Sequence, residues 1–271
     1  MRLVALARRL VLELAAPVVQ HGRELVKVLQ QLAERVAVAR PIDKPEPTPE
    51  PAAKEEPAEP EAPKIPEGMI RIAPDHYRLG GDKAKKNPAR VTRLDPFFID
   101  RDEVTNESYG GCVKARKCRK SKQAKNKRLN APLQPVVGVR FKDAKAFCAW
   151  NGDKRLPSPD EWEAAARGEG STTFPWGDKF VGKRANVAGR EDGHAKTAPV
   201  GSFATGNTLL GIRDMAGNAA EWVSDSHKTG FVRGGSYQSP PETTAAAELH
   251  KVKSKRKGHK TVGFRCAKAD D

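Results

Sequence analysis

This chain has few cysteines, few aromatic residues and no long apolar run. Each shortage excludes a kind of site or structure. There are four cysteines among 271 residues and no Cys-x-x-Cys pair, so a zinc ribbon is not expected. Aromatic residues make up 6% and hydrophobic residues 38%, which is thin for one large core, so part of the chain should lie outside a core. The apolar stretches near the start contain Arg8, Arg9 and Glu13, whereas a membrane-spanning helix needs about 20 apolar residues. Neither stretch is expected to span a membrane.

Basic residues outnumber acidic ones, 49 to 34, and the net charge is +15. Residues 1–40 carry +4, residues 41–67 carry −5 and residues 68–271 carry +16. A basic domain attracts nucleic acid, anionic lipid headgroups or acidic glycans. Residues 114–128 hold nine Lys or Arg and no acid, and either bind an anionic partner or form a mobile solvated loop. They contain no aromatic residue to stack on bases, so nucleic acid is not the expected partner.

The composition divides the chain into three segments. Residues 1–40 show apolar residues at helical spacing, which predicts an amphipathic helix that lies on a membrane surface, pairs with a partner helix or has no fixed contact. The same residues make a poor signal peptide, because their apolar run contains an acid. Residues 41–66 are rich in Pro and Glu, which predicts an extended acidic linker. Residues 67–271 form the expected folded domain.

Within that domain the local patterns predict a mixture of short strands and helices. We expect strands at Met69–Leu79 and Val91–Ile99, with an edge or a bulge at Pro96. Helices are predicted to begin near Thr105, to cover Lys142–Asn151, and to begin at Ser158. Ser158 and Glu161 have the spacing of a capping box, Pro159 suits the first helical position, and Gly168 ends the third helix.

The segment Gly211–Asp225 concentrates oxygen-bearing side chains between glycines. Asp214, Asn218 and Glu221 lie within eight residues, and oxygen ligands suit calcium better than a transition metal. The alternative is a turn whose acids cap backbone amides, with Trp222 as a core anchor. The spacing is not that of an EF-hand loop, so the pattern alone leaves both readings open.

Seven segments follow one another in the chain: MIRIAPDHYRLGG (Met69–Gly81), PFFIDRDEVTNESY (Pro96–Tyr109), RLPSPDEWEAAARG (Arg155–Gly168), FPWGD (Phe174–Asp178), the Gly211–Asp225 loop, RGGSY (Arg233–Tyr237) and GFRC (Gly263–Cys266). In this order they resemble the formylglycine-generating enzyme family, also called the sulfatase-modifying-factor domain. The resemblance runs from about Glu67 to Asp271. The resemblance implies an α+β fold, a variant of the C-type lectin-like fold with little regular secondary structure, which also serves binding and sensory modules in bacteria.

The same resemblance implies two calcium sites and a disulfide. The first site would use Asn186, Val187, Asp192 and His194, with Val187 and His194 contributing backbone carbonyls. The second would use side-chain oxygens of Asp214 and Glu221 and the carbonyls of Gly217 and Ala219. Cys148 and Cys266 match a disulfide of the family, and Cys112 and Cys118 would then form a second pair.

Catalytic members of the family oxidise a client cysteine with oxygen and copper(I) held by two cysteines just after the GGSY motif. Here those positions hold Ser239 and Thr244, and a hydroxyl is a poor copper(I) ligand. Copper is therefore not expected. A branch of the fold that uses iron and three histidines is also not expected, because the six histidines are scattered.

Two functions from different classes remain. The first is a non-catalytic, calcium-stabilised binding domain for an anionic peptide or glycan, in which the basic run His250–Lys260 takes part or merely favours solubility. The alternative is an active oxidoreductase or other enzyme with a shifted site, in which Ser236, Tyr237 and Ser239 could serve another reaction. Two disulfides favour an extracytoplasmic location, periplasmic, secreted or membrane-associated, over a cytoplasmic one.

Overall fold

The computed structural model describes residues 64–81, 87–189, 191–224 and 230–270. The helix predicted in residues 1–40, with the three alternatives for its contacts, and nearly all of the 41–66 linker lie outside these residues. Within them, no helix combines the length and the apolar character needed to cross a bilayer.

Short strands and three helices make up the regular structure of the described residues, as expected for an α+β fold with little secondary structure. The strands are β1 (Met69–Ile72), β2 (Asp75–Leu79), β3 (Arg90–Leu94), β4 (Phe97–Asp100), β5 (Ala220–Val223), β6 (Phe231–Arg233), β7 (His250–Lys251), β8 (Val262–Gly263) and β9 (Ala267–Ala269). The helices are α1 (Asn106–Lys114), α2 (Phe141–Trp150) and α3 (Pro159–Arg167), and two 3₁₀ turns cover Ala204–Gly206 and Pro241–Thr244.

Three sheets are formed, in the strand orders β1-β4-β9, β2-β3 and β7-β6-β5-β8. The pairs are antiparallel except β5–β8, which is parallel. The strand predicted at Met69–Leu79 is in fact two strands, β1 and β2, which belong to different sheets. The strand predicted at Val91–Ile99 likewise divides into β3 and β4. Each break falls at a proline, Pro74 or Pro96, which cannot donate a hydrogen bond to the ladder.

The helices follow their local signals closely. Thr105 caps α1 by accepting a hydrogen bond from the Ser108 backbone nitrogen at 3.2 Å. Both reciprocal bonds of the capping box at the start of α3 are present, and Gly168 ends that helix at φ 59°. On α3, Trp162, Ala165 and Ala166 are buried in the core.

The β5 strand lies at the centre of the hydrophobic core and is buried on both sides. Trp222 packs with the residues of α2 and β8, while Val223 packs with Trp162 and the residues of β1 and β4. Both disulfides that the resemblance implies are present: Cys112–Cys118 closes a short loop after α1, and Cys148–Cys266 joins α2 to the residue before β9.

Candidate functional site

The two segments with predicted calcium ligands lie directly against each other. The Asn218 backbone nitrogen donates to the Asn186 carbonyl at 2.7 Å, and the Asn186 side chain donates to Asn218 Oδ1 at 3.1 Å. Gly217 has φ 81°, and a β-carbon there would stand 2.3 Å from the Asn186 carbonyl oxygen. Asp214 and Asn218 also have φ 55°, a conformation that Asx residues tolerate better than most. The fold therefore joins the two loops at one tight backbone contact.

In the first loop the Asp192 carboxylate organises the backbone. Its Oδ2 accepts from the Val187 nitrogen at 3.1 Å and its Oδ1 from the His194 nitrogen at 2.8 Å. The His194 ring packs edge-on to Phe203, so the imidazole is used in packing. Asn186 is fully buried; its amide nitrogen donates to the Lys196 carbonyl at 2.8 Å, whereas its Oδ1 has no hydrogen-bond partner. A buried acceptor without a donor is unusual and is suited to a cation.

In the second loop the carboxylates are buried and strongly engaged. Glu221 Oε2 accepts from Trp162 Nε1 and Arg265 Nε, and Glu221 Oε1 from Arg265 Nη2, each at 2.7 Å. Glu221 and Arg265 are both fully buried. Asp214 Oδ2 accepts from the Gly201 nitrogen at 2.6 Å. The bond from the Gly201 amide to Asp214 is the kind of contact expected if the acids of this loop cap backbone amides instead of binding calcium. Glu221 instead forms an internal ion pair with Arg265.

Glu103 belongs to this cluster, although the sequence patterns do not mark it. It is 2% exposed, accepts from the Ala219 nitrogen at 2.9 Å and from the Asn218 side chain at 2.6 Å, and lies 115 residues away from Asn218 in the chain. Burial, together with Asp214 and Glu221, raises the pKa of Glu103 well above its usual value. Burial also raises the pKa of Asp214 to about 6. Three buried carboxylates thus face one guanidinium: desolvation by burial is the main cause of both shifts, and the neighbouring carboxylates add to it.

No group of three or more His, Cys, Asp or Glu side chains among the described residues is arranged to hold a metal ion. Any calcium at either loop would therefore rely on backbone carbonyls and amide oxygens in addition to carboxylates.

The positions of the family's copper ligands both lie beside Gly235. A β-carbon on Gly235 would lie 2.7 Å from Thr244 Cγ2 and 3.3 Å from Ser239 Oγ. Ser239 Oγ accepts from the Ser236 nitrogen at 2.9 Å, and the Thr244 hydroxyl donates to the Pro241 carbonyl at 2.7 Å. Within the described residues all four cysteines are in disulfides, so no thiol lies at this place.

Among the described residues, no general base is hydrogen-bonded to the serines at this place. Ser236 Oγ and Ser239 Oγ are 3.3 Å apart, and His250 Nε2 is bonded to the Thr243 carbonyl at 2.8 Å. His227 lies outside the described residues. Among the described residues the buried Tyr237 hydroxyl has no hydrogen-bond partner, and burial raises the pKa of Tyr237, so it stays a neutral phenol and cannot accept a proton from a serine. The geometry gives a shifted serine-based site no support.

The sequence matches the family described as "Sulfatase-modifying factor enzyme 1-like domain" over residues 54–270. It is 28% identical to "Inactive C-alpha-formylglycine-generating enzyme 2" of Bos taurus, over 73% of this chain and 87% of that protein. It is 29% identical to "Formylglycine-generating enzyme" of Thermomonospora curvata, over 59% of this chain and 72% of that protein. Among solved structures, PvdO from Pseudomonas aeruginosa superposes with a TM-score of 0.65 at 25% identity, over 74% of this chain and 94% of that one.

Proposed function

The chain belongs to the sulfatase-modifying factor enzyme 1-like domain family, and from this premise we propose that it is a non-catalytic member that binds an anionic peptide or glycan. Overall identity does not decide between activity and inactivity, because relatives named as active and as inactive are equally similar. The observation that carries the proposal is the pair Ser239 and Thr244 beside Gly235.

Copper(I) is a soft ion that thiolates bind and hydroxyls do not. Both hydroxyls at this place are already held in hydrogen bonds to the local backbone. The four cysteines form two disulfides elsewhere in the domain, so they supply no replacement ligand. The same two bonds support an extracytoplasmic location for this protein.

The test is a copper(I) titration combined with oxygen uptake in the presence of a client peptide that contains cysteine. We expect the protein neither to bind copper(I) tightly nor to oxidise the peptide. The Ser239→Cys/Thr244→Cys variant is expected to bind copper(I), because both side chains approach the same point. Ser239→Cys/Thr243→Cys, with one thiol moved by one residue, is the matched control. Oxidation of the client by the unmodified protein would refute the proposal.

Calcium at both loops is the second part of the proposal. At the first loop, Asn186 Oδ1 is a buried acceptor that a cation would satisfy, next to the Asp192 carboxylate. At the second, a divalent cation would offset the excess of buried negative charge. An ionised carboxylate has about four lone-pair sites, and Arg265 and Trp162 occupy three on Glu221, so one remains for a metal.

Calorimetric titration with calcium, after removal of metals with a chelator, tests this part. Asp192→Asn is expected to remove the first site and leave the second, whereas Asp214→Asn is expected to do the reverse. Unchanged heats in both variants would show that neither loop binds calcium.

A further inference from the structure

Two basic runs that are far apart in the chain meet at one residue in the structure. Residues 114–128 and 250–260, together called the basic surface, both attach to Gly138. The Lys122 nitrogen donates to the Gly138 carbonyl at 3.2 Å, and the Gly138 nitrogen donates to the His259 carbonyl at 3.0 Å. The two runs therefore form one continuous surface.

The junction is too tight for any residue other than glycine. A β-carbon on Gly258 would lie 1.8 Å from the Gly138 carbonyl oxygen, and one on Gly138, at φ 81°, would lie 2.9 Å from Gln123 Cγ. Because backbone meets backbone here, the relative position of the two runs is set by the fold.

The backbone of the first run is held in place by a disulfide and by hydrogen bonds. The Cys112–Cys118 disulfide closes its base, and the Cys118 and Lys117 nitrogens both donate to the Cys112 carbonyl. The Tyr109 hydroxyl donates to the Arg119 carbonyl at 2.8 Å. Because this backbone is already ordered, little backbone conformational entropy is lost when its side chains bind a ligand.

Most lysines and arginines of the basic surface are exposed to solvent. Every lysine and arginine in residues 114–128 is exposed, as are Lys251, Lys253, Arg256, Lys257 and Lys260. Lys255 differs, since it is partly buried and lies 4.5 Å over the Phe141 ring. Within the described part of the chain, none of the other cations of the surface is in an ion pair.

An open pocket of about 660 Å³ lies where the first run ends. Arg128 lines it together with Gln134, His194, Lys196 and Thr197. The two cations in this lining, Arg128 and Lys196, suit the acid groups of a charged sugar better than an apolar side chain.

We propose that the basic surface binds a linear acidic polysaccharide, a glycan chain that carries sulfate or carboxylate groups, with one sugar in the pocket beside Arg128. This rests on the proposed function and names its site and ligand class. Neither run contains Phe, Tyr or Trp, so bases would find no ring to stack on, which disfavours nucleic acid. Two disulfides suit the oxidising compartments in which acidic glycans are exposed.

The experiment is calorimetric titration of the whole chain with heparin, a sulfated glycan, and with hyaluronan, a carboxylated one. Neutral dextran, polyglutamate and single-stranded RNA are the comparison ligands. One or both acidic glycans should bind more tightly than all three, with an affinity that falls steeply as salt rises. The two acidic glycans distinguish sulfate from carboxylate recognition.

Variants that each remove two positive charges test whether the two runs act as one site. Lys120→Gln/Lys122→Gln changes the first run and Lys253→Gln/Lys257→Gln the second, and each should weaken glycan binding about tenfold at moderate salt, by analogy with loss of two phosphate contacts. Arg78→Gln/Arg93→Gln removes the same charge from the exposed face of β2 and β3 and should change affinity little. If glycan binding weakens in the variant of one run only, the two runs do not act as a single binding surface.

Failure of this inference and failure of the proposed function give different results. Tighter binding of polyglutamate than of either glycan would reject the polysaccharide and keep a non-catalytic binding domain. Tighter binding of RNA, or no binding of any acidic glycan, would also reject the polysaccharide. Only oxidation of a client cysteine would reject the non-catalytic assignment itself.

Discussion

The two disulfides of this domain close loops of very different length, which allows the stabilisation by each to be compared in one protein. Cys148–Cys266 spans 118 residues and Cys112–Cys118 spans 6. The loop-entropy relation assigns about 5 kcal/mol to the long loop and about 2 kcal/mol to the short one. We therefore expect Cys148→Ala/Cys266→Ala to lower the free energy of unfolding by about 3 kcal/mol more than Cys112→Ala/Cys118→Ala.

Guanidinium unfolding of the two variants and the parent protein measures this difference. Each variant loses the same atoms, so the direct cost of removing two sulfurs largely cancels. A thiol count by mass spectrometry must show that the remaining pair is still oxidised. Equal losses, or a larger loss from the short loop, would show that native packing rather than loop entropy determines the stabilisation.

Two further predictions concern buried carboxylates. Glu163 is fully buried and accepts hydrogen bonds from Arg233, Arg167, Asn87 and the Gly80 nitrogen. Glu163→Gln should lower the free energy of unfolding in urea by about 3–5 kcal/mol, because it leaves buried Arg233 without its countercharge. Asp160→Asn, which breaks a partly exposed ion pair on the same helix, is the control and should cost less than about 1 kcal/mol; similar costs would contradict the argument. For Asp214, a folded-state pKa of about 6 against a usual 3.8 means that the folded protein takes up a proton before the unfolded one, so this group adds stability as the pH falls from 7 towards 4. In chelator, the protein should gain about 1 kcal/mol relative to Asp214→Asn between pH 7 and 5, and a constant difference would refute the shifted pKa.

Signals that lie within a few residues of each other were sufficient to predict several parts of the fold. The capping box of Ser158 and Glu161 and the stop at Gly168 placed α3, because caps depend on neighbouring backbone groups. The cap at Thr105 placed the start of α1 for the same reason. Family resemblance supplied the disulfide pairs, which spacing alone left open.

Contacts between distant segments could not be read from the sequence. Glu103 reaches Asn218 across 115 residues, and nothing near Glu103 marks it as a partner. The contact of the two basic runs at Gly138 depends on packing between loops that share no pattern. The strand breaks at Pro74 and Pro96 were weakly signalled, because a proline within a strand is compatible with either a bulge or a change of sheet.

The three-stranded sheet also determines how the domain would respond to a pulling force. Both β1 and β9 pair antiparallel with β4, with Met69 opposite Asp100 and Ala269 opposite Phe97. A force that separates Met69 from Ala269 would therefore act along the strands, while the hydrogen bonds between them lie across the strands. The bonds on both sides of β4 would carry the load together in shear instead of opening one at a time.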